Sequence, residues 1–225
     1  MKGKFVDIWQ GAILSEHPES IDYYHYLNAE EKQKVSSFIR PELQQKYIKT
    51  RGVLRKVLAG YLNEKPEEIK IKIAEYGKPF VEGEFFFNLS HTGNKFVLAV
   101  SDVSEIGIDL EQYKQRKNLA GLVKKCFSAV EIKYWESLSE QQQMIFFYQL
   151  WVRKEAFVKA IGRGIAVGLD QCVVDPEHQT RFLAIPTEYG CAKEWNIVDI
   201  PLNKGDVCAM VIKGVEFAYK QVEIK

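Results

Sequence analysis

The sequence has no C-x-x-C pair, no apolar run of the ~18 residues a membrane span needs, and almost no net charge. Each absence removes a class of function. Cys126, Cys172, Cys191 and Cys208 are far apart, which speaks against a zinc knuckle or redox pair and suits idle thiols in a reducing cytosol. Thirty-one Lys and Arg nearly cancel 30 Asp and Glu, so no global field points to nucleic acid or an anionic membrane as partner. Any anionic ligand must be met by local clusters. The run Met1 to Trp9 is broken by Asp7 before a signal-peptide core forms, and the expectation is a soluble cytoplasmic protein. What is present is a globular composition, 46% hydrophobic and 12% aromatic over 225 residues, enough for one large domain or two small ones packed together.

The most telling stretch is Ile106-Gly107-Ile108-Asp109-Leu110-Glu111. As a strand it turns Ile106, Ile108 and Leu110 one way and Asp109 and Glu111 the other. Two ionised carboxylates side by side repel, so the pairing gains nothing unless a cation or a bound proton lies between them. A hard, oxygen-seeking ion such as Mg²⁺ answers that need; a solvated sheet edge is the competing reading.

Upstream, residues 4 to 14 alternate as a first strand, followed by a polar connection containing Pro18. Asn28 opens a helix as N-cap, and a second helix follows Pro41 and runs to about Leu62. Lys46, Lys49, Arg51, Arg55 and Lys56 crowd that second helix, as a solvated face or as a polyphosphate site. Ile69 to Ala74 reads as an edge strand, and Gly77 and Pro79 mark a turn that aims Lys78. The strand ending in Asn88-Leu89-Ser90-His91-Thr92-Gly93 places His91 at a strand-to-turn junction, and Phe96 to Val100 returns as an apolar strand.

Downstream, Gln112 to Phe127 mixes Lys114, Arg116, Lys117, Lys124 and Lys125 with Leu119, Leu122 and Val123. The first half resembles a mobile loop and the second a short amphipathic helix, a combination suited to an acidic partner surface. Ser128 to Glu131 matches a capping box. In the helix from about Gln141 to Ile161, Trp151, Glu155 and Lys159 repeat every four residues and share a face. The tryptophan suggests that this face is partly buried, and a carboxylate and an ammonium held there need a ligand or ion to offset their desolvation. Short alternations at 172–174, 181–185, 195–200 and 207–212 read as an antiparallel sheet. Helix, turn and strands recur in the same order on either side of residue 104, which points to two similar α+β halves, 1–104 and 105–225, meeting at a cleft.

Taken together, Asn88-Leu89-Ser90-His91-Thr92, Gly107-Ile108-Asp109-Leu110-Glu111 and Trp151-Val152-Arg153-Lys154-Glu155-Ala156 with Lys159 and Gly162 resemble the 4′-phosphopantetheinyl transferases. The likeness is to the long, monomeric type that activates nonribosomal peptide and polyketide synthases. It implies an α+β fold, a pseudo-twofold pair of subdomains with coenzyme A in the cleft between them. It also implies Mg²⁺, or Mn²⁺ in its place, at the pyrophosphate, and attack by a serine hydroxyl of an apo carrier protein with release of adenosine 3′,5′-bisphosphate. On that resemblance Asp109, Glu111 and Glu155 are the metal ligands, Glu155 or Glu131 the base, and Lys159 the cation at the leaving phosphate. Lys34, Lys46, Arg51, Lys78, Ser90, His91 and Lys159 are the coenzyme A contacts, and Lys114, Leu122, Lys124, Lys125 and Phe127 the carrier-docking surface. No nucleic acid or membrane partner is expected. Val152 stands where many relatives have threonine. Two other readings share these residues: another Mg²⁺-dependent enzyme of nucleotide pyrophosphates, and a carrier-binding homologue without chemistry. Three converging carboxylates argue against the latter.

Overall fold

A computed structural model describes residues 4–13, 22–214 and 217–224; the connection containing Pro18 lies outside them. In chain order the elements are β1 (Val6–Ala12), α1 (Ala29–Ser36), α2 (Pro41–Leu62), β2 (Lys72–Ile73), β3 (Pro79–Phe80), β4 (Phe86–Thr92), β5 (Lys95–Ser101) and β6 (Ile106–Gln112). There follow α3 (Leu119–Cys126), α4 (Ala129–Glu136), α5 (Glu140–Ile161), β7 (Val173–Val174), β8 (Phe182–Ala184), β9 (Trp195–Asp199), β10 (Asp206–Lys213) and β11 (Tyr219–Glu223). The fold is α+β. No helix among the described residues is long and apolar enough to cross a membrane.

Local chemistry sets the boundaries. Asn28 Oδ1 accepts the Glu31 N–H at 2.9 Å and Glu31 Oε2 accepts the Asn28 N–H at 3.2 Å, a capping box that starts α1. Pro41 occupies the first turn of α2, where its missing N–H costs nothing. Gly162, at φ 70°, ends α5 with its N–H on the Val158 carbonyl.

Two sheets form the centre, ordered β11-β1-β5-β4 and β6-β10-β9. The 22-residue α2 covers one face of the first through Val53, Leu54, Val57 and Leu58 against Phe87, Phe96 and Leu98. The 22-residue α5 covers the second, its Phe157 packed with Trp195, Ile197 and Val211. Between the sheets, Val6, Ile8, Val97 and Ala99 meet Ile106, Ile108, Leu110, Cys208, Met210 and Ile212. Each fully buried Val, Ile, Leu or Met side chain here stabilises the fold by about 1.5–3 kcal/mol. Strand β6 is thus buried on both faces: its even-numbered residues enter the core between the sheets and its odd-numbered residues face α5.

Three differences from the sequence reading have physical causes. The strand expected at Ile69–Ala74 shrinks to β2, paired only with β3, because its side chains are exposed and Pro79 cannot donate to a ladder. The expected sheet over 172–212 divides: β7 and β8 form a separate ribbon, while β9 and β10 join β6. Asp175 draws the β7–β8 turn tight, accepting the Glu177 and His178 N–H groups and the Arg181 guanidinium. Finally, β11 crosses back to pair in parallel with β1, so the C-terminal half lends a strand to the N-terminal sheet.

Candidate active site

Gly107 lets α5 lie directly on β6. A Cβ there would stand 2.0 Å from the Ala156 carbonyl oxygen and 2.4 Å from the Ala160 nitrogen, so any side chain would force helix and strand apart. This close approach brings Glu155 and Lys159 of α5 over Asp109 and Glu111 of β6. Trp151, on the same helical face, stacks on Phe147 at 5.7 Å.

Asp109 is almost fully buried. Its Oδ1 accepts from Lys159 Nζ at 2.6 Å and from the Ser90 hydroxyl at 2.9 Å. Lys159 also donates to Ser90 Oγ at 2.9 Å. Asp109 Oδ2 and Glu155 Oε1, both buried, have no partner. Burial pushes the Glu155 carboxyl up to about 7, with the Asp109 and Glu111 charges adding to the rise and Lys159 opposing it. Glu111 is raised as well, first by burial and then by Asp109. Three carboxylates therefore share one field, with Lys159 set among them and Arg116 and Lys114 acting on Glu111. No three His, Cys, Asp or Glu side chains among the described residues are already gathered as a metal cage. The two orphaned hard oxygens and the mutual repulsion are nonetheless the features a divalent cation relieves.

Glu131 is placed differently from the expectation of a base. It is completely buried, Oε1 accepting the Val174 N–H at 2.8 Å and Oε2 accepting the Ser128 N–H at 2.7 Å, the Ser128 hydroxyl at 2.8 Å and Lys154 Nζ at 2.7 Å. Lys154 donates further to the Cys126 and Leu169 carbonyls. With both oxygens bonded and no path to solvent, Glu131 has no position from which to take a substrate proton; it ties α4 and β7 to α5 beside Glu155. Ser90 is likewise buried, and its hydroxyl is fully used: it donates to Asp109 and accepts from Lys159 and from the Leu110 N–H at 3.2 Å. Its oxygen organises the acids instead of standing free for a phosphate.

The remaining cations divide into free and tied. The His91 pKa is lowered by burial, then by Lys46, and to a lesser degree by Lys159. Lys34 lies 5.3 Å over the Tyr47 ring and is exposed. Arg51 is held through Nε by Glu31 at 3.0 Å, and buried Arg55 shares the same carboxylate while donating to the Pro66 and Ile69 carbonyls. Lys78 reaches across the cleft, donating to the Ala160 carbonyl at 2.7 Å and the Ile106 carbonyl at 3.2 Å, and desolvation lowers its pKa to about 8. It borders a hollow of about 460 Å³ with Tyr76, Phe80, Phe86, Ala160 and Arg163. Arg163 lies 4.9 Å over the Tyr76 ring and donates to its hydroxyl, an aromatic wall suited to a flat heterocycle.

Of the expected docking residues, Lys114, Lys124 and Lys125 are exposed and Leu122 is half-buried. Phe127 is a correction: it is buried and stacks on Phe147 at 5.7 Å, because the chain tucks inward where α3 ends. The segment before α3, expected as a mobile loop, is pinned: the Tyr148 hydroxyl donates to the Lys114 carbonyl and accepts from Arg116 Nε, both at 3.0 Å. Sequence reasoning passed over Asn88, Lys154 and Arg163 as site residues. A buried-strand asparagine and a lysine inside an apolar helical stretch were the available signals for the first two.

A family model described as 4′-phosphopantetheinyl transferase superfamily matches residues 105–210, and one described as 4′-phosphopantetheinyl transferase, N-terminal, matches residues 16–103. The chain is 31% identical over 217 residues to the 4′-phosphopantetheinyl transferase HetI of Nostoc sp., covering 93% of this chain and 88% of that one. It is 31% identical over 169 residues to the 4′-phosphopantetheinyl transferase Sfp of Bacillus subtilis, covering 74% of each. To the 4′-phosphopantetheinyl transferase gsp of Aneurinibacillus migulanus it is 31% identical over 170 residues, covering 73% of this chain and 70% of that one. With matches of this extent across both halves, the chain belongs to the 4′-phosphopantetheinyl transferase superfamily.

Proposed function

We propose that this protein transfers the 4′-phosphopantetheine group of coenzyme A to a serine hydroxyl of an apo acyl or peptidyl carrier protein. The observation that carries the reading is the pair of unpartnered buried oxygens, Asp109 Oδ2 and Glu155 Oε1, beside the Lys159 ammonium. In the reaction a bond forms between the serine oxygen and the β-phosphorus, and the bridging P–O bond to the α-phosphate breaks. Glu155, beside Asp109 and Lys159, is the carboxylate placed to accept the serine proton. Lys159 stabilises the charge that gathers on the departing bisphosphate, and positioning and charge neutralisation do most of the work in such a transfer. Lys46 and Lys34 supply cations for the phosphates, Arg51 adds its guanidinium beside Glu31, and His91, whose pKa is lowered, offers a neutral ring N–H. The Tyr76, Lys78 and Arg163 hollow receives the base.

Asp109, Glu111 and Glu155 are the residues that would hold Mg²⁺ or Mn²⁺, which when bound neutralises pyrophosphate charge. The exposed Lys114, Lys124 and Lys125 with Leu122 form the carrier-facing surface, suited to an acidic amphipathic helix. The free thiols of Cys126, Cys172 and Cys208, all buried, suit a protein of the reducing cytoplasm. Incubation with coenzyme A, Mg²⁺ and an apo carrier tests the reading, since transfer adds about 340 Da to the carrier, whereas hydrolysis of a nucleotide pyrophosphate adds nothing.

A further inference from the structure

We infer that Asn88 is a positioning residue: through the backbone of β6 it holds Asp109 in place across a seam made of side chains. The role assigned to Asp109 rests on the transfer reading above; the seam itself does not.

Strands β4 and β6 are the facing edges of the two sheets, yet they share no ladder. On its other side β6 is paired normally, Asp109 standing opposite Ala209 of β10. That pairing leaves the Ile108 and Leu110 N–H groups directed at β4. Both are buried, and side chains take the place of the missing strand: Ile108 N–H donates to Asn88 Oδ1 at 2.9 Å and Leu110 N–H to Ser90 Oγ at 3.2 Å. Lys159 Nζ reaches the Ile108 carbonyl at 3.4 Å. A direct β4–β6 ladder would bring the strands to about 4.8 Å and occupy the Ile108 carbonyl, closing the gap that Lys159, Ser90 and Asp109 share. Asn88 and Ser90 lie two residues apart and so point the same way, and Ile108 and Leu110 match that spacing, with Asp109 between them. Asn88 is thus the outer of two clamps, the one farther from the phosphate-facing end of β4. Among the described residues its side chain forms no hydrogen bond to the acids or to any expected phosphate ligand. A side chain of equal size without an acceptor would leave the Ile108 N–H buried and unpaired, and β6 would relax toward or away from β4 to relieve it.

The test has two parts. Long-range HNCO spectra of the isotope-labelled wild type should show a through-hydrogen-bond coupling between the Ile108 amide nitrogen and the Asn88 Cγ; its absence, with ladder couplings present between β6 and β10, overturns the seam without any variant having to fold. Asn88→Leu should then lower kcat by about tenfold or more while KM for coenzyme A and for carrier stays within about twofold. Mn²⁺ titrated onto the protein alone, followed by water-proton relaxation, should bind that variant about fivefold or more weaker. A folded Asn88→Leu protein with wild-type kcat and Mn²⁺ affinity overturns the positioning role. A wild type that couples as expected but transfers nothing overturns the functional reading and leaves the seam standing.

Discussion

Lys159 Nζ and Asp109 Oδ1 lie 2.6 Å apart, while the other Asp109 oxygen is buried without a partner. The lysine therefore neutralises one half of the carboxylate and leaves the other half available. It also holds Glu155 below where burial alone would send it. In metal-free protein, Lys159→Met should raise the Glu155 titration midpoint above about 7, and Asp109→Asn should lower it. Carbon-13 NMR of the Glu155 carboxyl reads both; movement of both variants in one direction would show that the two charges do not share this field.

Glu131→Gln separates a structural acid from a catalytic one. The substitution leaves Lys154 buried beside a neutral amide, and breaking a buried pair by removing one partner costs about 3–5 kcal/mol. Urea unfolding should show a loss of that order, with kcat per folded molecule within about threefold of wild type. A folded variant of near-normal stability whose kcat drops a thousandfold would restore Glu131 as the base.

Gly107→Ala probes the contact between β6 and α5. Relief of a 2.0 Å approach to the Ala156 carbonyl requires the helix to move off the strand that carries Asp109. The expected result is a loss of stability of about 3 kcal/mol or more, seen in thermal unfolding, with transfer lost in whatever folds. A variant with unchanged melting temperature and activity would contradict the packing.

Lys78 supplies a pH signature. Its pKa in the folded protein is about 8 against the ordinary value of 10.5, because burial disfavours the ammonium. Between those values the unfolded chain binds more protons than the folded one, so stability rises with pH across that window. At about 1.4 kcal/mol per pKa unit the full shift corresponds to about 3.5 kcal/mol, of which roughly 3 kcal/mol falls between pH 7.5 and 10.5. Wild-type stability relative to Lys78→Met should climb by that order between pH 7.5 and 10.5 in denaturant unfolding. A flat difference would mean that the ammonium is not desolvated. A coenzyme A phosphate bound nearby should also raise this pKa, so binding at about pH 8.5 should take up a proton, measurable by calorimetry in buffers of different ionisation enthalpy.

What could be read from the sequence was local. The Asn28 and Ser128 caps, the span from Pro41 to Leu62 and the shared face of Glu155 and Lys159 each depend on residues within a few positions of one another. The alternation of Ile106 to Glu111 likewise separated the core residues from the acids. Long-range contacts were not legible. The capping box at Ser128 gives no sign that Glu131 also meets Lys154 and Val174 in a place without water. Phe127 looks like a docking anchor until Phe147 is seen beneath it. The parallel return of β11 to β1 rests on main-chain pairing that carries little side-chain pattern. Asn88 was visible as part of a motif, but its partner is a backbone amide 20 positions away, which no side-chain pattern records.

The most direct test of the whole account is intact-protein mass spectrometry of an apo carrier incubated with coenzyme A, Mg²⁺ and either wild type or Asp109→Ala. Wild type should add about 340 Da to the carrier serine and the variant, folded by circular dichroism, should add nothing. Transfer by Asp109→Ala at the wild-type rate, or none by wild type with any carrier of a broad panel, would contradict it.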